Sequence, residues 1–185
     1  MPQQRTIVGT FVEMLATSLA DEPGGAMAYS NVGYLILGVV VEAVTRADYE
    51  SHCRAAALAP AGASGFIEPT LRWRAPNGGW VVSAIDYARF IQVFDPGSPV
   101  LGAKSRRWLA SRATTYGLGM IMDRTARGTI FSHSGRVASR GRGGSYAVRF
   151  DDGWTVVVLF GGDLSREGYG DLRTLILRVP AAGRR

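Results

Sequence analysis

Two stretches of this 185-residue chain hold residue types that could do chemistry. The first is Tyr29-Ser30-Asn31, which follows Pro23-Gly24-Gly25 and precedes a strongly apolar run. A tyrosine hydroxyl at such a junction can serve as a general acid or base where neighbouring positive charge favours the phenolate, and an asparagine amide can orient a substrate carbonyl. The plainer alternative is structural: Ser30 and Asn31 cap the coming helix and Tyr29 packs with its hydroxyl satisfied. The second stretch is Phe131-Ser132-His133-Ser134-Gly135, leading into the glycine-rich Arg136 to Gly144. A glycine there lets the backbone approach a ligand closely, and strand-edge amides can donate to a developing oxyanion. His133 and Ser134 do not form a hydrolytic pair with each other, because neighbours on a strand point to opposite faces. An ordinary strand histidine is the competing reading of His133. Cys53 follows His52 with no second Cys or His nearby, so it reads as a small buried hydrophobe and no metal site is expected.

The elements that must position these residues follow from periodicity. Residues 6 to 20 carry Ile7, Phe11, Met14, Leu15 and Leu19 at helical spacing, and Pro23-Gly24-Gly25 ends that helix. Ser30 or Asn31 caps a second helix over about 31–46. Its Val32, Leu35, Ile36, Leu37, Val39, Val40 and Val44 cover nearly the whole circumference, as expected of a core helix enclosed by others. A third helix runs from about Asp48 to Leu58, and no regular element is placed between Pro60 and Gly79. Ser83 caps a helix through Phe94, with Asp86 in its first turn and Ile85, Ala88, Phe90, Ile91 and Phe94 available for burial. A short helix fits 103–113. The pattern then turns to period two: strands at about 116–123, 129–133, 145–150 and 154–161, the last two joined by a turn at Asp151-Asp152-Gly153. A closing helix over 168–177 turns Leu172, Leu175 and Ile176 to the sheet. The expectation is an α+β fold in one domain spanning 1–185, mainly helical to about 115 and an antiparallel meander plus a C-terminal helix beyond.

Composition narrows the function classes. Hydrophobic residues make up 46% and charged residues 19% of the chain, so disorder and fibrous repeats are excluded. The net charge of +6 comes from arginines scattered over the chain, which reads as a solvated basic surface without a nucleic-acid partner. Only Arg136, Arg140 and Arg142, beside Gly141, Gly143 and Gly144, gather enough charge to suggest otherwise. The apolar run from Val32 to Val41 is about half the length of a membrane span, and no signal-peptide pattern occurs in the chain, which leaves localisation open.

In this order, the motifs resemble those of the class C β-lactamases, DD-peptidases and related esterases. Pro23-Gly24 followed by Tyr29-Ser30-Asn31 and Gly33-Tyr34 is similar to the family's second motif. Gly78-Gly79 through Ser83, Asp86 and Phe90 resembles the start of a later helix. Tyr116-Gly117-Leu118-Gly119-Met120 is similar to the strand before the third motif, and His133-Ser134-Gly135 to that motif itself. The resemblance implies a serine hydrolase acting by acyl transfer on a small-molecule or peptide acyl substrate, without a cofactor; relatives are often exported. It makes Tyr29 the proton shuttle and Asn31 a hydrogen-bonding partner of the substrate's acyl-side amide. His133 and Ser134 would line the opposite wall and meet a substrate carboxylate, with His133 a weaker cation than lysine. The backbone N–H of Arg136, beyond Gly135, would be one oxyanion donor. A histidine in this motif points toward a peptidase or esterase.

One departure matters more. The family's mechanism needs a serine with a lysine three residues later on one helix face. The single lysine here, Lys104, has Leu101 at that spacing, so no Ser-x-x-Lys exists in the chain. Two explanations compete: a longer gene product whose missing N-terminal segment carries the motif, or a pseudoenzyme that binds peptide, acyl or lactam ligands without turnover. The first leaves a sheet edge unpaired and an apolar helix surface uncovered.

Overall fold

The computed structural model describes residues 6–15, 22, 25, 28–112, 116–117, 119–126, 128–137 and 143–179. They form two compact units, one containing residues up to Ala59 together with Ser64–Val82, the other Pro60–Ala63 together with the chain from Ser83 onward.

In the first unit, α1 (Ile7–Leu15), α2 (Asn31–Thr45) and α3 (Tyr49–Cys53) are followed by one wide turn of π-helix at Arg54–Leu58. A 3₁₀ segment (Pro69–Asn77) lies between two short antiparallel strands, β1 (Phe66–Ile67) and β2 (Trp80–Val81). No regular structure was expected there from the Pro- and Gly-rich sequence; the segment is ordered by what it packs on. Ile7, Ile67 and Ala75 form its buried centre, with Val39, Tyr49 and Trp80 against them. Gly38 of α2 is buried beneath Pro76, where a Cβ would come within 2.0 Å of the ring. Glu50 accepts from the Arg54 guanidinium and from the Ile67 N–H, and pairs with Arg72, tying α3 to β1 and to the 3₁₀ segment.

The expectation that α2 is enclosed is corrected. Of its residues only Leu35 and Gly38 are buried, while Val32, Ile36, Leu37, Val40 and Val44 are exposed. Among the described residues α1 and the 3₁₀ segment cover α2 on one side, so its apolar circumference finds too few partners. The helix termini follow the sequence: the Ser30 side chain accepts from the Val32 N–H at the start, and Arg46, at φ 54°, closes the end by donating its N–H to the Glu42 carbonyl. Cys53 is half-buried rather than buried; burial pushes its thiol pKa up. Of the first predicted helix, 16–20 lie outside the described residues, as do Pro23 and Gly24.

In the second unit, α4 (Ala84–Ile91) runs into a 3₁₀ turn (Gln92–Phe94), and α5 (Ala103–Arg112) follows. Ser83 caps α4 by accepting from the Asp86 N–H while its hydroxyl donates to the Asp86 carboxylate. Five antiparallel strands come next in simple meander order: β3 (Tyr116–Gly117), β4 (Met120–Thr125), β5 (Gly128–Val137), β6 (Gly143–Phe150) and β7 (Thr155–Gly161). Gly119, at φ +102°, breaks the single strand expected over 116–123 into the β3–β4 hairpin. The turn at Asp151-Asp152-Gly153 forms as expected, with Gly153 at φ +99° donating to the Phe150 carbonyl.

One sheet face carries Ile130, Tyr146, Val148 and Phe150 with Ile176 of the closing helix α6 (Arg166–Leu177); the other carries Ala147 and Met120 with Ile91 of α4. Two burial expectations fail. Ile85 is exposed, and Tyr87 packs beside Ile91 instead. Leu175 is exposed, and Tyr169, Leu172 and Leu177 accompany Ile176. The chain between α4 and α5 is fastened by Asp95, whose carboxylate receives two 2.6 Å bonds from the buried Arg149 guanidinium. Among the described residues no helix is long and apolar enough to cross a membrane.

Candidate active site

The residues singled out in the sequence fall into both units, Tyr29 and Asn31 in the first, His133 to Arg136 in the second. Tyr29 stands ahead of α2 with its ring exposed and its hydroxyl donating to Asn31 Oδ1 at 3.2 Å. Its ring lies 6.2 Å from that of Tyr34, one turn into the helix. Asn31, the first residue of α2, is fixed through its backbone, since its carbonyl accepts from Asn77 Nδ2 at 3.2 Å. The Ser30 cap sets this geometry: by starting the helix at Asn31 it places the amide two residues from the phenol, within reach of its hydroxyl. Capping and chemistry are therefore compatible readings of Tyr29-Ser30-Asn31.

His133, Ser134, Gly135 and Arg136 lie on the second half of β5. β4 pairs with β5 only as far as Ser132, whereas β6 pairs with it to Val137. From His133 on, the edge of β5 away from β6 has no strand partner among the described residues. Backbone donors and acceptors on such an edge can take an extended ligand or a developing oxyanion. The cross-strand register sets His133 beside Ala147 and Ser134 beside Tyr146, so their side chains rise on opposite faces. His133 is partly buried; burial pushes the imidazole pKa down, opposed by a hydrogen bond to the Ser134 backbone. Its Nε2 lies 3.4 Å from the Tyr116 hydroxyl. Arg136 is exposed, and its strand partner is Gly144.

Two tyrosines that the sequence does not mark as site candidates approach this strand. The sequence places Tyr116 only in a strand; its approach to His133 comes from the β3–β4 hairpin that Gly119 opens. Tyr169 of α6 donates from its hydroxyl to the Gly135 carbonyl at 3.1 Å. Its spacing of three and seven from Leu172 and Ile176 was the available signal that it faces the sheet. Among the described residues no three His, Cys, Asp or Glu side chains gather as a metal site would require.

No curated protein sequence matches the chain. Among solved structures, D-amino acid amidase from Ochrobactrum anthropi SV3, in its complex with L-phenylalanine amide, superposes with a TM-score of 0.74 at 16% identity, covering 95% of this chain and 63% of that one. SurE with D-Leu superposes with a TM-score of 0.76 at 20% identity, covering 99% of this chain and 50% of that one. The likeness is one of fold, and the chain spans between half and two thirds of the length of these neighbours. The family profile described as Beta-lactamase matches residues 9–180, nearly the whole sequence, and the chain belongs to the β-lactamase family.

Proposed function

We propose that this chain carries the C-terminal portion of a serine hydrolase that works by acyl transfer, its serine and lysine lying on a preceding segment of the same fold. The observation that carries the reading is the edge of β5 beyond Ser132: the strand of the third motif, with no strand partner among the described residues on the side away from β6, in a member of this family. The fold neighbours include an amidase for D-amino acids, which favours a small acyl substrate such as an amide, ester or D-peptide.

The residues divide the work. As the serine attacks the acyl carbon, the Tyr29 oxygen accepts its proton while the phenol's own proton passes to the lysine of the preceding segment, and the reverse relay delivers a proton to the leaving group, a general acid–base step worth typically 10²–10⁴-fold. Asn31, already bonded to that hydroxyl, holds the substrate's acyl-side amide. The N–H of Arg136 donates to the carbonyl oxygen as it becomes an oxyanion. His133 supplies the wall on its face of β5, and as a neutral imidazole at neutral pH it acts by hydrogen bonding more than by charge. Ser134, on the other face, contributes through its backbone.

Two further features support a preceding segment. The apolar residues of α2 lie exposed, and β7 has no strand partner on its outer edge among the described residues, with Leu159 exposed there. A helix bearing Ser-x-x-Lys and a pair of strands would cover both. The test is to express the chain together with the in-frame sequence upstream of Met1 and assay hydrolysis of D-amino-acid amides and p-nitrophenyl esters. Turnover that is lost when the upstream serine is changed to alanine supports the reading. An upstream sequence with no Ser-x-x-Lys, or turnover indifferent to that serine, defeats it.

A further inference from the structure

The Gly135 carbonyl accepts from Tyr169 and faces Gly144. Tyr169 donates to it at 3.1 Å from α6, and Gly144 of β6 lies so close that a Cβ there would stand 2.5 Å from the same oxygen. A carbonyl oxygen this close to where a Gly144 side chain would stand is aimed at β6. The peptide bonds of the described residues are trans, so the N–H of the same peptide group, which belongs to Arg136, points the other way, to the edge of β5 that β4 leaves unpaired. The Tyr169 hydrogen bond is itself braced. Phe160 of β7 meets the Tyr169 ring edge to face at 5.7 Å, and Phe160 also fills the space that a side chain at Gly144 would occupy. Burial pushes the Tyr169 pKa up, which keeps the hydroxyl protonated and able to donate at neutral pH.

We propose that Tyr169 is a positioning residue for the Gly135–Arg136 peptide group: its hydroxyl orients and polarises that group so that the Arg136 N–H is presented to the open edge of β5 as an anion donor. A hydrogen bond accepted by a peptide carbonyl draws charge from its own N–H and strengthens the bond that N–H can give. The use of this donor in catalysis rests on the acyl-transfer reading; the orientation and polarisation do not. Tyr169 acts through one peptide unit, from α6. The arrangement also gives Gly144 a reason beyond turn chemistry, since any side chain there would strike both the carbonyl and Phe160.

The test is read on the 185-residue chain by NMR, without turnover. In Tyr169→Phe, which keeps the ring against Phe160, the Gly135 carbonyl carbon and the Arg136 amide nitrogen both move upfield while resonances of α4 and β4 stay in place. Unmoved Gly135 and Arg136 resonances overturn the proposal. Should the variant not fold, the unsubstituted chain decides: a slowly exchanging Tyr169 hydroxyl proton with nuclear Overhauser contacts to Gly144 supports the hydrogen bond, and its absence refutes it. Because neither readout involves catalysis, a polarised peptide in a protein that transfers no acyl group refutes only the proposed function. Acyl transfer with an unpolarised peptide refutes only the role of Tyr169.

Discussion

The hydroxyl of Tyr116 lies 3.4 Å from Nε2 of His133, and the two rings meet edge to face with centroids 6.3 Å apart. This contact closes one nitrogen of a partly buried imidazole while the Ser134 backbone engages the ring as well. The His133 ring is thus engaged by both Tyr116 and the Ser134 backbone.

That burial has a pH signature. The folded pKa of His133 is lowered from 6.5 by desolvation, so below about pH 6.5 the unfolded chain binds a proton that the folded chain resists. Its contribution to stability is complete above the unfolded pKa and declines as pH falls through 6.5 toward the folded value. Thermal melts between pH 5 and 8 should show a loss of Tm on acidification that is smaller in His133→Gln. Equal slopes in the two proteins would remove His133 as the cause.

The Asp95–Arg149 pair should be the most costly single contact to break. Arg149 lies largely buried and also donates to the Gly153 carbonyl, so Asp95→Ala leaves a guanidinium without its counter-charge. A loss of about 3 kcal/mol in urea unfolding is expected, with much of it restored in the double variant Asp95→Ala/Arg149→Met, where no buried charge remains. A loss below about 1 kcal/mol would show the pair to be solvated.

Gly38→Ala should destabilise the first unit. The added methyl would sit 2.0 Å from Pro76 Cγ, and a proline ring cannot rotate away. Overpacking of this kind costs about 1–3 kcal/mol, measurable by the same unfolding curves. Gly33→Ala on the same helix meets nothing within 4 Å and should be neutral or slightly stabilising, which controls for helix propensity.

The exposed side of α2 should govern association. Leu37 and Val44 are 57% and 77% exposed within a face that also presents Ile36 and Val40. Such a contiguous apolar surface drives self-association in water. The chain alone should form concentration-dependent oligomers by light scattering, reduced in Leu37→Glu/Val44→Lys at unchanged helix content. A monomer at all concentrations would mean that this face is covered.

Much of this arrangement was legible from local chemistry. Ser30 and Ser83 announced their helices because a hydroxyl before an apolar run has backbone N–H groups to satisfy. Asp151-Asp152-Gly153 announced its hairpin because glycine is needed at positive φ. What local chemistry could not show depended on distant partners. The 3₁₀ segment at Pro69–Asn77 is ordered by packing on α1 and α2, and the exposure of Ile85 and Leu175 depends on which flank of each helix meets the sheet. Tyr116 and Tyr169 reach β5 only because the meander brings β3 and α6 to it. The apolar girth of α2 was read as an enclosed helix because the pattern records which surfaces seek burial, while the structure records which find it.

The central claim is that the chain holds one part of an acyl-transfer site and that its nucleophile lies elsewhere. The most direct measurement is peptide mapping by mass spectrometry after treatment with a serine-directed acylating probe, on the 185-residue chain and on the product extended upstream in frame. The account predicts no adduct on the chain alone and a single adduct on the serine of an upstream Ser-x-x-Lys, lost in large part in Tyr29→Phe. An adduct on Ser30, Ser134 or any other serine of this chain would contradict it.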